Sequence, residues 1–354
     1  HTKYGEQIYG GKQESIDFLS IHNLFHPSTV DGCFTHDGHG MCGGIKDENG
    51  NWNTKPHRDR IVTFTDKELQ VLSDTFEDGT TGDCAKLVSI HSKEIIGVLK
   101  KISDFPKHLD DVKNITSMCF DETNAPKAGL IKRHTCVPEL SKYEMIYSGP
   151  HFYVANPIYK TPRETCILNS DYDNVELGKI PDNYIQRTNY IPNIPLPEYN
   201  QQVRGFISNK VQGEVSYDNY FDYYKLGIRA MISQAGERSL ICAVLPRRTA
   251  HIHGIISISF LNRYDAVDMA ALCASIVIDF YIKTIAAQNL RYSRLATFPI
   301  GVPVKYKSAL YSRTLLLNCL TNNYSEFWSS CWNDEYNYEH WSINDIRLKP
   351  FGDL

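Results

Sequence analysis

Hydrophobic spacing marks out the elements. In "DKELQVLSDTF" (66–76), Leu69, Leu72 and Phe76 recur at three- and four-residue steps. That predicts a helix, directly after the strand "RIVTFT" (60–65). "KLVSI" (86–90) predicts a short strand, and "KEIIGVLKKI" (93–102) a helix capped by Ser92 with Glu94 in its first turn. Residues 1–60 are rich in Gly, His and Asn and read as loops and short strands around the turn "DENGNW" (47–52). Residues 103–150 are polar and irregular, and 151–155 read as a strand. From 156 to 213 the prolines preclude a long helix or a central strand, and the many tyrosines favour a long ordered surface loop. Further on, the pattern predicts a helix at 218–233, strands at 238–246 and 253–260, a long buried helix at 265–286, and a last helix or helix pair at 308–332.

Helices and strands mix without a regular βαβ beat. The expected fold is therefore α+β, with mixed sheets, packed helices and long Pro/Tyr-rich loops. Two subdomains are expected over the 354 residues, 1–142 and 143–354.

Composition adds limits. With 42% hydrophobic and 22% charged residues, this is an ordinary globular chain. The most apolar run, 266–287, is interrupted by Asp268, Asp279 and Lys283, so a membrane span is not expected. The 10 cysteines are scattered singly, with neither a CxxC pair nor a signal peptide, which predicts reduced thiols in a cytoplasm. A start at His1 and an end at Asp353-Leu354 read as a piece of a longer polypeptide.

The net charge of −4 argues against indiscriminate nucleic-acid binding, but the charge is unevenly spread. Residues 201–310 carry 13 Lys and Arg against 7 Asp and Glu, whereas residues 1–200 carry 21 against 28. One basic stretch between acidic ones is the footprint of a protein that touches DNA on one face.

Three groups could carry chemistry. Asn156-Pro157-Ile158-Tyr159 follows an apolar strand and looks like the base-presenting loop of amino-group DNA methyltransferases. Amino methylation also needs a Gly-rich cofactor turn after a strand, and none precedes Asn156. "CFTHDGHGMC" places Cys33, His36, His39 and Cys42 at three-residue steps, and all four are zinc-ligand types. Structural zinc sites generally draw two pairs from separated segments, so a single loop wrapping the ion is unusual. Neither GxSxG, HExxH nor a P-loop occurs.

The third group suits DNA. "KTPR" offers Lys160, Thr161 and Arg163, and "QRTNY" offers Arg187 and Asn189. "LPRRTAHIH" offers Arg247, Arg248, His251 and His253, followed by Arg294 in "LRYSR" and by Lys305 and Lys307 in "VKYK". Arg and Asn bind guanine and adenine edges bidentately, while Thr, Lys and Tyr suit phosphates. All are predicted at the ends of scaffold elements, where functional residues commonly sit.

The segment "YSGPHFYVANPIYKTPRETCILNSDYDNVELGKIPDNYIQRTNYIP" resembles the target-recognition region of large bacterial adenine-N6 DNA methyltransferases of the single-chain restriction–modification and phage-defence type. The likeness continues through "ERSLICAVLPRRTAHIHGIISISF", "LCASIVIDFYIK" and "LLLNCLTNNYSEFW", and upstream through "GGIKDENGNWNTKPHRDRIV". It implies a module that selects a site on double-stranded DNA. The cofactor fold would lie N-terminal on the same polypeptide, and S-adenosylmethionine would bind there rather than here. Asn156-Pro157-Ile158-Tyr159 then becomes a strand-to-turn junction and the chain by itself has no catalytic residue. The alternatives are a stand-alone metal-dependent hydrolase or nuclease using the 33–42 loop, and a protein-interaction module with a basic face.

Overall fold

The computed structural model describes residues 5–76, 82, 85–211, 214–233, 236–285 and 289–353, and the chain divides into two units at Phe105/Pro106. In the first unit, β1 (Asp17–Ser20) pairs antiparallel with β2 (Val62–Thr65), and Phe18 stacks on its register partner Phe64 at 5.3 Å. Helix α1 (Ser28–Thr35) lies between them in sequence, within a stretch that reads as loops and short strands. Helix α2 (Asp66–Phe76) starts where the spacing predicts. Glu68 turns back to accept from the Thr65 N–H at 3.1 Å, so the strand passes into a helix without a loop. Helix α3 (Lys93–Ser103) completes this unit, and Phe64, Leu69, Leu72 and Leu99 are buried. Residues 86–90 are irregular, not a strand.

The second unit begins with β3 (Asn114–Ser117), α4 (Asn124–Lys127), β4 (Ile131–Cys136) and β5 (Met145–Tyr147). It continues with β6 (Lys160–Pro162), β7 (Tyr172–Asn174), β8 (Thr188–Pro192) and α5 (Leu196–Asn200). A ribbon of β9 (Arg204–Val211) and β10 (Glu214–Asn219) follows, then β11 (Lys225–Arg229), β12 (Cys242–Leu245), β13 (Thr249–His251) and β14 (Ile255–Phe260). The chain ends in α6 (Arg263–Ala274), α7 (Ile276–Ile285), α8 (Tyr292–Leu295), α9 (Val304–Asn318) and α10 (Ser325–Cys331). Several small mixed sheets with packed helices make the fold α+β.

The scaffold is the antiparallel sheet β12-β11-β14-β3. Helix α6 covers β11, β12 and β14. Met145, Tyr147 and Phe152 pack with Ala243, Leu245 and Ile255 in a second cluster. Both faces are covered, so β14 is buried at all six positions and shows no alternation. The same effect hides β11, whose sequence reads as part of a helix over 218–233. Gly227 fits there because a Cβ would come 2.7 Å from the Leu245 side chain. β13 pairs in parallel with β5, and β4 with β8 and β6 with β7 pair antiparallel.

The structure differs from the sequence reading at two further places. Within the second unit, β3 and β4 pair with β14 and β8. The long helix expected at 265–286 breaks at Ser275, which is extended and whose Oγ accepts from the Ile278 N–H at 3.2 Å. The Pro-rich 156–213 stretch contains β6, β7, β8, α5 and β9. Residues 212, 213 and 286, at the ends of two of these segments, lie outside the described residues.

Candidate nucleic-acid interface

Two of the residues quoted for DNA contact are buried. Asn189 is 4% exposed on β8, with its amide 3.1 Å from the Tyr172 hydroxyl and its carbonyl accepting from Thr135 Oγ1 at 3.0 Å. His251 is 0% exposed on β13. Its Nε2 lies 2.6 Å from Ser257 Oγ, and its Nδ1–H donates to the Ile252 carbonyl at 3.1 Å. Neither reaches solvent, so the expectation that they read base edges is corrected: both are core residues. Their strands gain cover from distant chain, which local polarity does not reveal.

The basic candidates are variously engaged. Arg163 pairs with Asp173 at 2.9 Å, and Arg187 lies 3.5 Å from Glu164. Thr161 Oγ1 accepts the Arg187 N–H at 3.0 Å, and Lys160 sits over the Tyr159 ring at 5.3 Å. Arg247 is ion-paired with Glu326 and donates to the Asp222 carbonyl at 2.6 Å. Arg248 is exposed, with a left-handed backbone at φ 60°. Lys305 and Lys307 lie over Tyr306 and Tyr311 at 4.6 and 5.7 Å, and Arg294 sits in α8.

The 151–159 segment is not a strand. A 3-10 turn at Gly149–His151 leads to Ala155 at φ 51°, and Asn156 Oδ1 accepts from the Ile158 N–H at 3.0 Å. Gln186 is buried and its Nε2 lies 2.8, 3.0 and 3.2 Å from the carbonyls of His151, Pro157 and Lys160. Asn156 is therefore occupied by its own turn, and Pro157 and Ile158 are buried.

The cysteine and histidine loop does not make a metal centre. Among the described residues, no three His, Cys, Asp or Glu side chains converge to hold a metal ion. Cys33 is buried in α1, His36 packs against the tilted His57 ring at 4.4 Å, His39 is exposed, and the Cys42 thiol faces the Gly43 carbonyl. The described cysteines are all free.

The feature that the sequence reading missed is the β9–β10 ribbon. From Ile207 to Lys210 and from Val215 to Asp218 every residue is exposed, including Ile207 at 61% and Tyr217 at 41%. Its root is fixed by Phe206 against the Tyr223 ring at 5.2 Å and by Arg204 over Tyr217 at 5.1 Å. Gly205 is required there, because a Cβ would collide with the Asp218 carbonyl. The register pairs Asn209 with Ser216 and Lys210 with Val215. The signal in sequence is the polar "ISNK…VSYD" with β-branched and aromatic residues spaced through it.

A cleft of about 1200 Å³ also opens in the second unit. Its floor includes Ala230, Ile252, Ile256 and Leu290, all buried. Arg229 lines one wall, held by the carbonyls of Gly149 at 2.7 Å and Phe152 at 2.5 Å. His253 lines it too, 3.4 Å from Asp121 and 3.1 Å from Met118 Sδ. Thus His253 is the one quoted DNA candidate found in this cleft.

No helix among the described residues is long and apolar enough to cross a membrane. Compared with known proteins, the chain matches no family model and no curated protein.

Proposed function

We propose that this chain is the site-selecting part of an adenine-N6 DNA methyltransferase and binds double-stranded DNA with the β9–β10 ribbon in a groove. The observation that carries this reading is the ribbon, exposed on both faces over residues 207–210 and 215–218. The major groove is about 12 Å wide and admits a two-stranded β-ribbon. Asn209 offers the amide that suits adenine, and Lys210 and Arg204 suit guanine or phosphate. The basic balance of residues 201–310 supports the same reading. So does the resemblance in "ERSLICAVLPRRTAHIHGIISISF" and its neighbouring phrases. Cofactor binding and methyl transfer are assigned to chain N-terminal to this one, which would contribute the S-adenosylmethionine site.

The test is binding to a randomised duplex pool at about 50 and 200 mM salt, followed by sequencing of what is retained. The expected result is salt-sensitive binding with one enriched motif, lost when Asn209 and Lys210 are both changed to Ala. Equal retention of all sequences, or binding untouched by that double change, would reject the ribbon as the reader.

A further inference from the structure

The 1200 Å³ cleft is separate from the ribbon residues and is slightly larger than the pockets of about 300–1,000 Å³ that commonly hold small ligands. Its floor is apolar, and its charged groups are segregated. On one side stand two guanidinium groups. Arg229 is fixed by two backbone carbonyls, and Arg291 is exposed with no side-chain hydrogen bond or ion pair among the described residues. Asp121 and Glu122 lie across the floor from them, because Leu290 bonds to Ala230, Ala230 to Gly254 and His253 to Phe120. Glu122 Oε1 accepts from the Tyr190 hydroxyl at 2.8 Å, while Oε2 has no hydrogen bond among the described residues.

Tyr292 and Met231 stand on the arginine side, since Tyr292 follows Arg291 and Met231 pairs with Asn289. Tyr292 is held by a 2.7 Å hydrogen bond from its hydroxyl to Asp110, and Met231 is 74% exposed at the cleft although it is apolar. Met118 lies on the His253 side. Methionine sulfur and tyrosine faces both favour an aromatic ring. An anion-binding side, ring-stacking groups beside it and a Glu122 oxygen without a hydrogen bond among the described residues ask for one kind of molecule.

We infer that this cleft binds a nucleotide, with its phosphate at Arg229 and Arg291, its base against Met231 and Tyr292, and an exocyclic amino group donating to Glu122. Nucleotide chemistry has two sources, a free mononucleotide or a nucleotide of a single strand. The inference goes beyond the duplex reading and does not need it.

The test is calorimetric titration of the chain with AMP, UMP, ribose 5-phosphate and a single-stranded tetranucleotide. AMP is expected to bind at one site, at least tenfold more tightly than ribose 5-phosphate and more tightly than UMP, which lacks an amino group. Arg291→Ala should weaken AMP at least tenfold without moving the thermal midpoint. Lys210→Ala, on the ribbon, should leave AMP affinity unchanged. If the tetranucleotide binds tenfold more tightly than AMP and is equally sensitive to Arg291→Ala, the strand is the source. Equal affinities make it the free nucleotide. No saturable binding of AMP or tetranucleotide overturns the inference, and so does binding that Arg291→Ala leaves intact.

Discussion

Ser257 Oγ lies 2.6 Å from His251 Nε2, and both side chains are fully buried. Because His251 Nδ1–H donates to the Ile252 carbonyl, Nε2 accepts the Ser257 proton. Tyr220 OH then donates to Ser257 Oγ at 2.7 Å, which gives the chain of bonds one direction. The ring has to be neutral for this. Burial lowers the His251 pKa to about 3, and burial likewise lowers His151, bonded to the Arg187 carbonyl, to about 4.

Those two histidines make a prediction for acid. Each has a folded pKa below its unfolded value of 6.5, so its contribution is present above pH 6.5 and is lost as pH falls toward 4 and 3. At pH 4.5 each should cost about 2–3 kcal/mol relative to pH 7. Urea denaturation at the two pH values checks this. The His151→Phe variant should lose less stability over that interval than the parent chain. Equal losses would mean that His151 is not buried neutral.

Lys225 behaves differently at the other end of the scale. It is 1% exposed, and its ammonium meets the carbonyls of Tyr223 at 2.7 Å and Phe221 at 3.3 Å. Burial lowers its pKa from 10.5 to about 7. Between these values the unfolded chain holds a proton that the folded chain has released, so stability should rise with pH from about 7 to about 10. Lys225→Met should remove most of that rise, and should raise stability at pH 7 by about 1–2 kcal/mol, less whatever the two carbonyls lose. Denaturation midpoints at pH 7 and pH 9.5 for both proteins decide it.

The 156–159 turn allows a comparison of two amides. Asn156 bonds one N–H within its own turn, whereas Gln186 reaches three backbone carbonyls from a buried position. Asn156→Ala should cost about 1 kcal/mol and Gln186→Ala about 2–3 kcal/mol, because the latter strands buried acceptors. Asn156→Ala should leave duplex affinity unchanged. A loss of duplex binding in a fully folded Asn156→Ala protein would reopen this turn as a functional loop.

How far the sequence carries depends on where each element gets its partners. Helix α2 is legible to the residue because its burial comes from one face and its start is set by Thr65 and Glu68, all local. The pair α9 and α10 is legible for the same reason of spacing. Strand β11 is not, because cover on both faces erases alternation and its tyrosine-rich lead-in mimics a helical stripe. Asn189 and His251 look like surface readers beside Arg187 and Arg248, yet β8 and β13 turn them inward against Tyr172 and Ser257. The cleft is invisible in sequence, since its walls come from residues as far apart as Asn114 and Tyr292.

The last prediction separates the ribbon from the arginine pair that the sequence brings forward. Arg247 is already ion-paired with Glu326 and hydrogen-bonded to the Asp222 carbonyl, so an approaching phosphate competes with partners in place. Lys210 is exposed on a ribbon that reaches solvent on both faces. Each phosphate contact contributes about one unit to the slope of log affinity against log salt. Lys210→Ala should therefore lower that slope by about 1, and Arg247→Ala should change it by much less. Glu326→Gln, which releases Arg247, should raise duplex affinity if the arginine lies within reach of the phosphates. Anisotropy with one fixed duplex across a salt series measures all three. A slope that falls with Arg247→Ala and ignores Lys210→Ala would move the DNA face from the ribbon to the β12–β13 turn.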